Sequence, residues 1–188
     1  MSESRQRKHD SHLPVLELIF KHSSIKDIFE YGCGSYSTNF FVKNAKSITS
    51  VEMNREIWYN KMKSEISSDK LNLLFIKGGP DSIEYFKSTG KIYDLVFVDG
   101  DNSSRKDCTY ASFGKSETVA VHDVNLTWRR WKHRGWSDFE KCVPSDYKII
   151  VMNMDYPATT VYTKNDHLFL ELQKEKSIVI RGIKNEKI

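Results

Sequence analysis

The sequence predicts an α/β domain: a mostly parallel sheet of seven strands, covered by helices on both faces and closed by an antiparallel terminal hairpin. Three observations carry this. Short apolar runs recur between longer amphipathic stretches, the pattern of strands buried on both faces by crossover helices. The last two runs are separated by only Asp155, Tyr156 and Pro157, which permits a hairpin and forbids a parallel crossover. A glycine turn, Gly32-Cys33-Gly34, stands directly between the first run and the helix that follows it.

Each element follows from local pattern. Leu13, Leu16 and Phe20, with Val15 and Ile19, have helical spacing and predict a covering helix ahead of the first strand, Ile28 to Tyr31. A helix opening near Ser37 carries Phe40 and Phe41. The second strand is Ile48 to Glu52, and Asn54 is placed to cap a helix showing Trp58 and Met62 on one face. Leu73 to Ile76, Leu95 to Val98 and Thr118 to His122 are the next three strands, with one short helix around Arg105 to Phe113 between the last two. Tyr147 to Met154 and Ala158 to Thr163 form the hairpin. Beyond it, Leu168 to Lys176 reads as helix or loop, and Ser177 to Ile183 alternates like a strand.

The chain of 188 residues, 39% hydrophobic, has the length of one domain, since domains run about 100 to 200 residues. Residues 1–12 read as a polar tail, 13–164 as the domain and 165–188 as a C-terminal extension. The most apolar stretch, Leu13 to Phe20, is broken by Pro14 and Glu17 and is far shorter than the ~20 residues a membrane span needs. The first twelve residues lack the apolar core of a secretion signal, and a cytoplasmic location is expected. Cys33, Cys108 and Cys142 are widely spaced and odd in number, which argues for free thiols. A net charge of +4 permits a nucleic-acid partner without requiring one.

The glycine turn carries the chemistry. Glycines let backbone approach a ligand, and the following helix N-terminus offers free N–H groups to an anionic one. A dinucleotide fingerprint needs a third glycine where this chain has Ser37, which disfavours a nicotinamide oxidoreductase. Glu30 stands two residues before Gly32, and Glu52 closes the second strand. This constellation resembles the cofactor site of the class I S-adenosylmethionine-dependent methyltransferases, whose pattern is an acid, any residue, Gly, any residue, Gly after the first strand and an acid ending the second. The resemblance spans Leu13 to Thr163 and implies a Rossmann-like three-layer sandwich that binds S-adenosylmethionine. It implies that Gly32 and Gly34 let the methionine part lie on backbone, that Glu30 orients its ammonium group, and that Glu52 accepts from both ribose hydroxyls. Asp81 and Ser82, after the third strand, fall where the family binds adenine, and Met53 would flank the ring.

The fourth and fifth strands run into Asp99-Gly100-Asp101-Asn102 and His122-Asp123-Val124-Asn125. In an open α/β sheet the crevice lies outside the carboxyl ends of the strands, so Asp99, His122 and Asp123 should converge there. Carboxylates brought together need a cation or a shared proton. These strand ends look like those of small-molecule O-methyltransferases, including the catechol type and its bacterial natural-product relatives. That likeness implies Mg²⁺ held by Asp99 and Asp123, with Asn125 or His122 adding to the set, and a catalytic group of Asp99, His122 and Asp123. Those relatives place Lys or His as general base where this chain has Asn102. His122 then reads either as the substitute base or as a hydrogen-bonded strand-end residue.

Trp128-Arg129-Arg130-Trp131-Lys132-His133-Arg134-Gly135-Trp136 follows the fifth strand. It admits an amphipathic helix with the tryptophans packed inward, an acceptor pocket in which Trp128, Trp131 and Arg129 touch substrate, or a surface that stacks and pairs with nucleic acid. The Asn or Asp, Pro, Pro, aromatic run of DNA amino-methyltransferases is absent after the fourth strand, which favours oxygen acceptors. The expected function is therefore O-methylation of a small-molecule hydroxyl. The competing expectation is a catalytically weak or inactive domain of the same fold that binds RNA or a protein partner.

Overall fold

The computed structural model describes residues 10–123, 139–152, 158–175 and 178–179. The chain order is α1 (Leu13–His22), β1 (Asp27–Tyr31), α2 (Ser37–Asn44), β2 (Ser47–Glu52), α3 (Glu56–Glu65), β3 (Leu71–Phe75), α4 (Gly79–Ser88) and β4 (Tyr93–Val98). It continues with α5 (Arg105–Ser112), β5 (Ser116–His122), a 3₁₀ turn (Phe139–Cys142), β6 (Lys148–Met152), β7 (Thr159–Thr163), α6 (Asp166–Gln173) and β8 (Ile178–Val179). All seven strands expected from the sequence form, within two residues of their expected ends among the described residues. The order across the sheet is β3-β2-β1-β4-β5-β7-β6-β8. The first five strands pair in parallel, while β7 runs antiparallel to both β5 and β6.

Two points extend or correct the sequence reading. The short strand β8 pairs antiparallel with β6 through Val151↔Val179 and Met152↔Ile178, so the sheet has eight strands. The helix after β2 is not capped by Asn54; its N-cap is Arg55, and the Glu52 carboxylate accepts from the backbone N–H groups of Asn54 and Arg55 at 2.9 and 3.0 Å. These two bonds fix the turn ahead of the helix, whose first turn has no side-chain cap.

Strand side chains alternate between faces, and this parity sorts the core into two layers. Ile28, Leu95, Phe97, Ala120 and Val161 pack with Val15, Leu16 and Ile19 of α1, Phe41 of α2 and Leu168 and Leu172 of α6. Phe29, Tyr31, Val96, Val98, Val119, Val121 and Tyr162 form the opposite layer with Phe86 of α4, Cys108 of α5 and Phe139 of the 3₁₀ turn. Helix α5 is short, and the aromatic rings of Phe113, Phe139, Tyr147 and Tyr162 complete the cover beside it, with centroids 4.8 to 6.1 Å apart.

The segment after the hairpin belongs to this core. Asn165 caps α6 by accepting from the N–H of Leu168 at 2.9 Å, and the helix then buries Leu168 and Leu172 against α1 and the sheet. Leu172→Ala is expected to cost about 2–5 kcal/mol of unfolding free energy. Leu170→Ala, on the exposed side of the same helix, should stay within about 0.5 kcal/mol. Urea denaturation of both variants measures the difference; equal values would contradict the packing of α6.

Candidate functional site

The strand ladders continue beyond the strands and set the loops of the carboxyl edge against each other. The N–H of Gly32 donates to Val51 O at 2.7 Å, that of Asp99 to Tyr31 O at 2.9 Å, and that of Gly78 to Met53 O at 2.8 Å. Gly32 has φ +89°, and a Cβ there would lie 2.5 Å from Gly100 Cα. A Cβ on Gly100 would in turn meet Met53 Cε at 2.1 Å. The loops after β1 and β4 therefore touch backbone to backbone, and their upper surface is the floor of an open cleft of about 690 Å³. Small-molecule pockets measure roughly 300–1,000 Å³.

The wall of that cleft is Glu52 with Trp58 of α3. Trp58 Nε1 donates to Cys33 O at 2.8 Å, which ties the glycine loop to α3. Arg55 and Lys61 lie over the Trp58 ring at 5.4 and 5.1 Å and line the cleft mouth. Glu52 is 6% exposed; Oε1 takes the two backbone N–H groups, and Oε2 faces the Cys33 thiol at 3.6 Å. Burial beside Glu30 and Glu52 pushes the Cys33 thiol up, so it stays protonated.

Glu30 lies beneath the loop. Its carboxyl is fully buried and takes hydroxyl donors from Ser37 (2.5 Å), Thr38 (2.6 Å) and Ser50 (2.6 Å). Burial pushes its pKa up to about 7, against the downward pull of the three hydroxyls. Ser37, which stands where a dinucleotide fingerprint has glycine, is thus the donor that holds this acid. Thr38 Oγ1 also accepts from Gly34 N at 3.0 Å, so the buried carboxyl sets the loop conformation through one intervening hydroxyl.

At the ends of β4 and β5 the acids gather around a residue the sequence reading missed. Arg105 is 5% exposed; its Nη2 donates to Gly100 O at 2.8 Å and lies 3.3 Å from Asp99 Oδ1, while Nη1 donates to His122 O at 2.8 Å and lies 3.6 Å from Asp123 Oδ2. Asp123 has φ +59°, a left-handed turn that an Asp tolerates, and it leaves β5 there with its carboxylate beside the guanidinium. Burial pushes the Asp99 pKa up to about 7, opposed by Arg105 and reinforced by Asp123 and Glu30.

His122 is occupied at both nitrogens, Nδ1 with Thr159 Oγ1 at 3.2 Å and Nε2 with Ser11 Oγ at 3.3 Å. His12, at the start of α1, meets the His122 ring edge-on with centroids 4.8 Å apart. Burial lowers both histidines to about 3 and keeps them neutral, with the other charges nearby contributing less.

The structure brings Gly32, Gly34, Glu52 and Asp99 together around the cleft, with His12, Gly100, Asp101 and Asn102. Other expected site residues lie elsewhere. Met53 is buried under Gly100, and Asp81 is exposed in the first turn of α4, outside the cleft lining. Ser82 donates to Gly78 O and Ile76 O, at 2.8 and 3.2 Å, and so secures the start of α4. Asn125, Trp128, Arg129 and Trp131 lie outside the described residues. The oxygen set suggested for Mg²⁺ does not fit this arrangement: a guanidinium already stands between Asp99 and Asp123 and supplies the positive charge they need. Arg105 gave no sequence signal, being one cation among 29, and His12 fell in the segment read as a tail.

Comparison with solved structures finds the same architecture in methyltransferases. A Staphylococcus aureus protein assigned as a caffeoyl-CoA O-methyltransferase superposes with a TM-score of 0.62 at 16% identity, covering 81% of this chain and 82% of its own. The O-methyltransferase from Bacillus cereus, in complex with SAH, gives 0.61 at 15% identity, covering 87% and 82%. The N-methyltransferase NodS from Bradyrhizobium japonicum gives 0.53 at 16% identity, covering 85% and 93%. No family model and no curated protein matches the sequence. The chain has the fold of the class I S-adenosylmethionine-dependent methyltransferases.

The buried carboxyl below the loop makes stability depend on pH with a defined sign. Glu30 binds its proton more tightly in the folded chain, with a pKa of about 7 against an ordinary 4.5. Its contribution is full below pH 4.5 and is lost as the pH rises to about 7, with no further change above. Relative to Glu30→Gln, wild-type stability should fall by on the order of 3 kcal/mol across that window. Urea unfolding at successive pH values reads it; parallel curves would exclude the raised pKa.

Proposed function

We propose that the chain is an S-adenosylmethionine-dependent methyltransferase acting on a hydroxyl of a small molecule. The observation that carries the reading is the cleft floor made of Gly32 and Gly100 backbone, walled by Glu52, at the carboxyl edge of a sheet with this strand order. Glu52 has one carboxylate oxygen committed to backbone and a second facing only a thiol, so it retains acceptor capacity for ribose hydroxyls. Gly32, Gly34 and the N-terminus of α2 receive the methionine portion. Glu30 acts on it through Ser37 and Thr38, which shape the loop, and has no direct path to the cleft in this structure.

The acceptor oxygen attacks the sulfonium methyl in line. A C–O bond forms, the C–S bond breaks with its electron pair passing to sulfur, and the hydroxyl proton passes to the Asp99 carboxylate, whose pKa of about 7 suits it to accept a proton. Asp99 is the member that lines the cleft. Arg105 positions it, and His122 is held behind by Thr159 and Ser11. Catalysis comes chiefly from holding oxygen, methyl and sulfur in line, since such positioning can remove about 7–11 kcal/mol of a barrier. The oxygen acceptor is supported by the strand-end residues; the fold itself is shared with an N-methyltransferase.

Calorimetric titration with S-adenosylhomocysteine should give saturable one-to-one binding, and NAD should give none. Glu52→Gln keeps an acceptor for the two backbone N–H groups while removing the charge. It should lose about 1.5–3 kcal/mol of binding, roughly 10- to 150-fold in Kd. Absence of sulfur-cofactor binding, or undiminished affinity in Glu52→Gln, refutes the assignment. Transfer of a labelled methyl group to a panel of hydroxylated and aminated aromatics then separates oxygen from nitrogen acceptors.

A further inference from the structure

The Mg²⁺-type oxygen set is split by Arg105, yet the other side of Asp99 faces two imidazoles. We propose that His12, His122 and Asp99 form a binding site for a borderline transition-metal ion such as Zn²⁺, with His12 delivered by the start of α1. One ligand atom from each of the three lies within 4.8 Å of the others. This spacing needs only small side-chain movements to close on an ion with bonds of about 2.0–2.2 Å to nitrogen and oxygen.

His12 is the independent observation. The residue is 3% exposed, its ring is tilted against Phe97 with centroids 5.3 Å apart, and neither ring nitrogen has a hydrogen-bond partner among the described residues. A buried polar group left unpaired costs about 1–3 kcal/mol, so a ring held this way needs a reason. It lines the same cleft as Asp99, and a metal ion would occupy the lone pair that nothing among the described residues takes.

The other two ligands are already oriented. Thr159 Oγ1 holds His122 at Nδ1, and Nε2, which pairs with Ser11 Oγ at 3.3 Å and lies 3.5 Å from Asp123 Oδ1, would exchange that hydroxyl for the ion. Arg105 holds Asp99 through Oδ1. Hydroxyl and guanidinium partners of this kind fix ligand geometry around metal centres. Two neutral imidazoles and one carboxylate suit Zn²⁺ or other late divalent ions, whereas Mg²⁺ favours all-oxygen sets. Three protein ligands beside an open cleft leave a position for water or a substrate oxygen. The nearby charges are Arg105, which opposes the ion, and Asp123, which favours it.

The site shares Asp99 and His122 with the group placed beside the acceptor hydroxyl, but metal binding is read without methyl transfer, which titration with S-adenosylhomocysteine tests separately. The full chain, stripped with chelator and dialysed, is titrated with Zn²⁺ and Mg²⁺ by calorimetry and with Co²⁺ by visible absorption. The expected result is one equivalent of Zn²⁺, no heat with Mg²⁺, and Co²⁺ bands of a low-coordinate nitrogen-bound ion. His12→Phe keeps ring packing and removes the ligand, and should weaken Zn²⁺ at least roughly 100-fold, since even outer-shell changes cost 10- to 100-fold. Asp99→Asn tests the same point if His12→Phe fails to fold. His22, His167 and Glu171 form a surface group between α1 and α6, so His22→Gln is the control and should bind as wild type. No stoichiometric Zn²⁺, wild-type affinity in the folded ligand variant, or loss of binding in His22→Gln would each overturn the site.

Discussion

The guanidinium of Arg105 is the interaction on which the carboxyl edge of this sheet depends. It reaches two carboxylates and two carbonyls from four points on β4, β5 and the loops that leave them. Without a cation there, Asp99 and Asp123 would repel each other in a partly desolvated pocket, and one would have to hold a proton. The planar fork suits this task better than a lysine, because its donors meet several acceptors at fixed angles. Its position also follows from the packing of α5. Gly79 lets the start of α4 approach Ser104, where a Cβ would sit 2.2 Å from the Ser104 Cβ, and Arg105 is the first residue of the helix that results.

A second buried charge organises the other half of the cleft by a different rule. Among the described residues Glu30 is served by three hydroxyls rather than by a cation, and burial favours its protonated form against their pull. The contrast with Asp99 is instructive. Both carboxyls are raised to about 7, but one is held by neutral donors in a closed space, and the other by a guanidinium at the edge of an open one. The first shapes the glycine loop from below. The second stands where a ligand can reach it.

Much of this was legible in the chain. Apolar runs separated by amphipathic segments gave the strands, because residues buried on both faces leave no alternation to disguise them. The three-residue gap before Ala158 gave the reversed edge. That Gly32, Glu52 and Asp99 gather at one cleft was readable because each stands at the end of a recognisable strand, and strand ends in such sheets converge. Met53 and Ser82 lie apart from the cleft lining for a local reason: sequence places them at the carboxyl edge but does not say which way a side chain turns. Met53 turned under Gly100, and Ser82 was spent on the backbone of its own helix. The stretch of helix α6 read equally as helix or loop, although Asn165 already carried a capping signal.

What sequence alone determined was the order of elements and the placement of glycines and acids along one edge, since both follow from short-range pattern and strand parity. Tertiary structure decided which charges meet. Arg105 lies six residues beyond Asp99 yet also reaches His122 and Asp123, and His12 contacts a ring 110 positions away. Such pairings depend on how helices dock against a twisted sheet, through many weak contacts that leave no periodic trace in the chain. The same residue types, placed on the same strands, would serve a magnesium ion, an internal guanidinium or a pair of imidazoles. Only the packing of α1 and α5 selects among them.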